Sequence, residues 1–138
     1  MLYSSKNEQE TQQIAKNLSS NLKGGEILAL VGNLGAGKTT FIQGLGLSLG
    51  IDRVISPTFI LMRKYKTKRF SFYHIDLYRL EVNLKEEIKN LGITDIWGKK
   101  ENVVAIEWAD KIKDLLPKNT IWINFKNIKN QERQIEII

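Results

Sequence analysis

An unbroken apolar run, Ile27-Leu28-Ala29-Leu30-Val31, leads straight into Gly32-Asn33-Leu34-Gly35-Ala36-Gly37-Lys38-Thr39, and this junction constrains the fold more than any other stretch. A strand that is apolar at every position must be covered on both faces, which places it inside a sheet flanked by helices. The octapeptide after it fits G-x-x-x-x-G-K-[ST], the P-loop pattern. Its glycines let the backbone turn so that successive amides converge on phosphate oxygens. The helix predicted from Lys38 to Leu49 adds its free amides and positive dipole end. Lys38 is then the expected ligand of β- and γ-phosphates, and the Thr39 hydroxyl the expected ligand of Mg²⁺. Asn33, Leu34, Gly35, Ala36, Gly37 and Thr40 complete the expected phosphate cradle. Gly44 and Gly46 lie inside the predicted helix, where each costs roughly 1 kcal/mol relative to Ala. Close approach of another backbone would explain them; weak selection is the alternative.

Two acids are placed to serve such a loop. Asn102 to Glu107 reads as a second buried strand, since Val103-Val104-Ala105-Ile106 is also unbroken, with Glu107 at its end. A carboxylate there holds Mg²⁺ through water or polarises an attacking water; otherwise it merely ends a strand. In His74-Ile75-Asp76-Leu77-Tyr78-Arg79, strand alternation puts His74 and Asp76 on one face. Asp76 is a second candidate Mg²⁺ ligand, with His74 beside it as a hydrogen-bonding or phosphate-sensing group; a structural role is the alternative. Arg79 offers charge to a phosphate or a salt bridge that fixes the strand end. Ser56-Pro57-Thr58 reads equally as a γ-phosphate-sensing segment or as a turn. Trp108 lines the site or an interface, or packs in the core.

The rest of the chain reads as one compact unit over 1–138, without repeats or Pro-rich linkers. Leu2-Tyr3 is a short edge strand. Ser5-Lys6-Asn7-Glu8 has the form of a capping box, opening a helix through Ile14, Ala15, Leu18 and Leu22 that Gly24 stops. Phe59–Lys66 and Arg69–Asp76 form a hairpin, Leu84–Leu91 a helix stopped at Gly92, and Ala109–Leu115 another short helix. Thr120–Phe125 and Arg133–Ile138 close the chain as an antiparallel pair. The expected fold class is α/β: a P-loop NTPase-like mixed central sheet flanked by helices, with antiparallel hairpins.

Composition narrows the partners. There is no cysteine and one histidine, which excludes disulfide frameworks and thiolate metal sites and disfavours zinc. No apolar run spans a membrane and MLYSSKNEQE is not a secretory signal, so a cytoplasmic location is expected. The net charge of +6 favours phosphate, nucleic acid or an acidic protein surface. Yet only five of the 21 cations are arginine, a lysine preference that genome bias also explains. Five cations do cluster in Arg63-Lys64-Tyr65-Lys66-Thr67-Lys68-Arg69. They read as a solvated hairpin edge, or as a contact with RNA phosphates or an acidic partner.

Taken together, Gly32 to Phe41, Ser56-Pro57-Thr58-Phe59, His74 to Leu80 and Ile106-Glu107-Trp108 resemble, in order and spacing, the TsaE (formerly YjeE) family. That family is the small ATPase of bacterial threonylcarbamoyl-adenosine tRNA modification. The resemblance covers nearly the whole chain, including the helix around Glu10-Thr11. It implies ATP with Mg²⁺ as ligand, weak ATPase activity alone, and action on the TsaB and TsaD proteins, of which TsaD performs the threonylcarbamoyl transfer. Carried over, Lys38 binds phosphate, Thr39 and Asp76 assist Mg²⁺, Glu107 serves hydrolysis or the metal, and Ser56 and Thr58 belong to a nucleotide-responsive segment. Asn33 departs from the pattern, because the family usually has Asp there; a charge near the site is lost while the phosphate-binding amides are kept.

Two other classes share the motif. A small-molecule kinase needs an acceptor pocket and a lid bringing arginines to the transferred phosphate, but no lid-sized insertion follows the loop. A non-catalytic module, in which ATP only switches a binding surface, shares every binding residue; Glu107 and Asp76 argue for hydrolysis instead.

Overall fold

The computed structural model describes residues 1–33, 35–57 and 61–138. In chain order the elements are β1 (Leu2–Ser5), α1 (Glu8–Ser19), β2 (Ile27–Val31), α2 (Lys38–Ser48), β3 (Met62–Lys66), β4 (Ser71–Asp76), α3 (Leu84–Asn90), β5 (Asn102–Glu107), β6 (Ile121–Lys129) and β7 (Glu132–Ile137). Short 3-10 segments occupy Ile93–Asp95 and Ala109–Leu115. The strands form one sheet in the order β1-β7-β6-β2-β5-β4-β3. β4, β5, β2 and β6 run parallel at its centre. Antiparallel pairs β3–β4, β6–β7 and β1–β7 finish its two sides. The mixed α/β sheet expected from the sequence is therefore the architecture of the chain.

Alternation of the apolar runs builds two cores. Leu28 and Leu30 of β2 and Val103 and Ala105 of β5 pack with Phe41, Ile42 and Leu45 of α2 and Ala15 of α1. Ile27, Ala29, Val104 and Ile106 face the other way, onto Ile88 of α3, Ile93, Ala109 and Ile112. β2 and β5 are thus buried on both faces, as their unbroken runs require. No helix among the described residues is long and apolar enough to cross a membrane.

Gly44 sets the distance between α1 and α2. A Cβ there would lie 2.6 Å from the Gln12 Cα and 2.9 Å from the Gln12 carbonyl oxygen, so the close backbone approach is real. At Gly46 the neighbour is instead a side chain, with the Val54 Cγ2 at 2.5 Å.

Several local expectations shift. Helix α1 begins at Glu8, with Asn7 rather than Ser5 as its cap: the Asn7 side chain accepts from the Glu10 amide, and Glu10 reaches back to the Lys6 amide at 2.8 Å. Ser5 is drawn elsewhere, into a buried 2.7 Å hydrogen bond with Thr11. The helix ends at Ser19, not at Gly24; Gly24 (φ +105) lies further on, where its missing side chain admits the Lys100 carbonyl. The hairpin strands are shorter than predicted, because Leu61 takes a positive φ of 70° just before β3, and Arg69 and Phe70 belong to the turn. Phe59 and Ile60 lie outside the described residues. The segment Ala109–Leu115 is a kinked 3-10 turn instead of an α-helix.

Arg69 also leaves the basic cluster. Its guanidinium donates to the carbonyls of Ser19 (3.2 Å) and Leu22, capping the end of α1. Lys64, Lys66 and Lys68 remain exposed on the hairpin.

Gly44→Ala tests the helix contact. In an open helix this change stabilises by up to about 1 kcal/mol, but here the added methyl meets backbone. The expected result is a net loss of about 1–3 kcal/mol in denaturant unfolding.

Candidate functional site

A cavity of about 400 Å³ opens where the carboxyl ends of β2, β4 and β5 meet the start of α2. Such a crevice is where open α/β sheets bind ligands. Its wall includes Gly35, Gly37, Lys38, Thr39 and Thr40 of the glycine loop, Ser56, and Asp76, Tyr78, Glu107 and Trp108. Gly35 and Gly37 hold φ of 79° and 102°, the left-handed backbone that glycine alone adopts without strain. Ala36 is buried beneath the loop and donates its amide to the Asn33 carbonyl at 3.0 Å. Asn33 itself is exposed. Leu34 and Thr58 lie outside the described residues.

Lys38 is the centre of the arrangement. Only 4% of it is exposed, and its ammonium donates to the Gly32 carbonyl and rests 3.6 Å from the centre of the Trp108 ring. Loss of water pulls its pKa below the ordinary lysine value, while Glu107, then Asp76 and Asp110, pull it back up. Among the described residues no carboxylate forms an ion pair with it. A buried cation compensated by a carbonyl dipole and a ring face is matched to an incoming anion.

The acids arrive by strand register. Asp76 and Glu107 are direct neighbours across β4 and β5, and both share the sheet face of Phe72 and Ala105, towards α2. Glu107 is 3% exposed; one oxygen accepts from His74 Nε2 at 2.6 Å and the other lies 3.5 Å from the Thr39 hydroxyl. His74 is wholly buried and its Nδ1 has no partner among the described residues, so the tautomer with the proton on Nε2 donates to Glu107 and leaves no orphaned N–H. His74 therefore orients Glu107 and does not line the cavity. Asp76 is 6% exposed and accepts the Tyr78 amide at 3.0 Å. Lys111 fixes the turn that follows by donating to the carbonyls of Leu77, Tyr78 and Leu80. Arg79 is exposed and does not line the cavity.

Trp108 joins the site through its backbone. Its φ of +60° turns the chain sharply after Glu107, laying the indole under Lys38 and against the Tyr78 ring, 5.2 Å between centroids. Sequence reasoning missed the opposite wall. Glu8 and Thr11 of α1, Gln131 of the β6–β7 turn and Arg133 of β7 also line the cavity. Arg133 sits far along the chain and within no motif, so only the β1–β7 and β6–β7 pairings bring it here.

The donor set fits a phosphate chain carrying a magnesium ion. The described residues contain no group of three or more His, Asp or Glu able to hold a metal unaided. Magnesium commonly binds through one or two protein oxygens plus phosphates and water, and Thr39, Asp76 and Glu107 offer that partial set. Fold and site thus define an α/β protein with a glycine loop, a buried lysine and two acids around one cavity.

The family model for threonylcarbamoyl adenosine biosynthesis protein TsaE matches residues 5–135, and the chain belongs to the TsaE family. It is 39% identical over 130 residues to a Bacillus subtilis protein named tRNA threonylcarbamoyladenosine biosynthesis protein TsaE, covering 94% of this chain and 79% of that one. A protein of the same name from Borreliella burgdorferi is 34% identical over 137 residues, covering 99% and 98%. The crystal structure of Bacillus subtilis YdiB superposes with a TM-score of 0.77 at 34% identity, covering 99% of this chain and 83% of that one.

Removing the His74 ring should expose the cost of an unmet buried carboxylate. His74→Ala is expected to lower stability by about 1–3 kcal/mol, and His74→Gln, which can still donate to Glu107, to recover part of it. Thermal unfolding of the two variants checks this.

Proposed function

We propose that this chain binds ATP with Mg²⁺ and hydrolyses it, as the ATPase of the machinery that makes threonylcarbamoyladenosine in tRNA, acting on the TsaB–TsaD complex. One observation carries the reading: Lys38, Thr39, Asp76 and Glu107 converge on a single cavity beside a loop of left-handed glycines. The family supports the pathway, since its members are named tRNA threonylcarbamoyladenosine biosynthesis proteins.

In this reading the loop amides and Lys38 take the β- and γ-phosphates. Lys38 gives up the Trp108 face for a full negative charge, which offsets the burial that disfavours its charged form. Thr39 and Asp76 would hold Mg²⁺, whose charge would offset that of the phosphate oxygens. Glu107, fixed by His74, orients a water against the γ-phosphorus. The new P–O bond forms as the bond to the β–γ bridging oxygen breaks, and Glu107 passes the proton of the water towards the released phosphate. Ser56 stands on the cavity wall, where the presence of the γ-phosphate is sensed. The threonylcarbamoyl transfer falls to TsaD, as the resemblance to the family implies.

Two variants separate binding from turnover. Lys38→Ala should abolish ATP binding in calorimetry. Glu107→Ala should keep binding measurable while stopping phosphate release, and an unchanged rate would remove Glu107 from the chemistry.

The hairpin is the proposed contact with the partner proteins or their tRNA, through Lys64, Lys66 and Lys68. Charge reversal at these three should spare ATP binding and weaken stimulation of hydrolysis by TsaB–TsaD. Undiminished stimulation would reduce the hairpin charge to solvation.

A further inference from the structure

Four loops meet at the end of the sheet remote from the cavity. Because β4, β5, β2 and β6 run parallel, the segments that precede them lie beyond their amino ends, whereas the cavity opens at the carboxyl ends. β2 holds five residues, so the two ends of the sheet stand about 15 Å apart. Topology thereby collects lysines that are scattered in sequence: Lys118 before β6, Lys23 before β2, Lys99 and Lys100 before β5, and Lys68 before β4. Since β6, β2, β5 and β4 are neighbours in that order, these positions form a row about 14 Å long.

The loops brace one another, so the row is preformed. The Gly25 amide donates to the Asn102 carbonyl at 2.7 Å and the Ser71 amide to the Glu101 carbonyl at 2.8 Å. Arg69 ties the hairpin to Ser19 and Leu22, and Gly24 leaves room for the Lys100 carbonyl. All five lysines are exposed, and among the described residues none forms an ion pair. The loops carry two acids. Glu26 spends both carboxylate oxygens on the amides of Lys23 and Gly24, each at 2.8 Å, and Glu101 is exposed. Positive charge is therefore in excess at this end of the sheet.

The chemistry of the surface selects its partner. Protein interfaces are anchored by buried apolar and aromatic side chains, yet none of the exposed large apolar side chains of the described residues lies in these loops. Lysine ammoniums on flexible stems, without such anchors, suit the repeated phosphates of a nucleic-acid backbone, which they neutralise without reading sequence. We propose that the amino end of the parallel sheet is a docking surface for the phosphate backbone of RNA, held by Lys23, Lys68, Lys99, Lys100 and Lys118. Of the hairpin lysines, only Lys68 belongs to this row. RNA binding there is independent of the ATP reading, because it is measured without nucleotide.

The test titrates the full chain with a labelled tRNA transcript at about 50 mM salt and upwards. Joint Lys→Glu changes at Lys23, Lys99, Lys100 and Lys118 are expected to weaken binding at least about tenfold. The same changes at Lys85, Lys89, Lys126 and Lys129, exposed on α3 and β6, shift net charge equally and should stay within about threefold of wild type. Lys→Gln changes at the first four positions, which only remove charge, should lower the slope of log K against log salt by about three. Thermal unfolding confirms that each variant is folded. Equal weakening by the two Glu sets would reduce the effect to overall charge and overturn the proposal. So would a wild-type chain that does not bind the transcript, or one that binds polyglutamate as tightly as RNA, the mark of an acidic protein partner. Loss of ATP binding with RNA binding intact would bring down the cavity reading alone.

Discussion

A lysine ammonium held out of water at the end of a turn is the constraint around which this molecule is arranged. Lys38 is nearly sealed, and isolated buried charges are costly. Its compensation comes from three sources: the Gly32 carbonyl at the end of β2, the Trp108 ring after β5, and the longer-range fields of Glu107, Asp76 and Asp110. None is a contact ion pair. The cation is thus held by a dipole, a ring face and distant charges. Each compensating group sits at or just beyond a strand end, so the sheet must be assembled before the lysine can be buried.

Strand order then decides what meets at that point. β2 lies between β5 and β6, so its loop is served from both sides. β5 and β4 bring two carboxylates in register, and the antiparallel β6–β7 pair brings Arg133 back against Gly35. The helical layer takes part too. Gly44 lets α1 lie against α2 closely enough for Glu8 and Thr11 to reach the cavity rim. Packing and site therefore share residues, and a change in helix spacing alters the wall of the cavity.

Much of this could be read from the sequence because it rests on local periodicity. The apolar runs ending at Val31 and Glu107 have to be central strands, and period two alone puts His74, Asp76 and the helix-facing side of β4 together. The loop pattern carries its own geometry in its glycines. What could not be read depends on long-range pairing or on competition between neighbouring polar groups. Arg133 enters the site through pairings across the whole chain. Ser5 has the spacing of a helix cap, but its hydroxyl is taken by Thr11, and Asn7 caps instead. Arg69 belongs to a run of cations in the sequence, yet the end of α1 claims it. Trp108 joins the cavity only because its backbone adopts a left-handed turn that nothing in its side chain announces.

The central claim is that the cavity around Lys38 takes the phosphates of ATP together with magnesium. Calorimetric titration of the purified chain with ATP, in magnesium and again in excess EDTA, tests it most directly. Saturable binding at one site is expected, weakening markedly when the metal is withdrawn. Absence of binding at millimolar ATP in the presence of magnesium would contradict it.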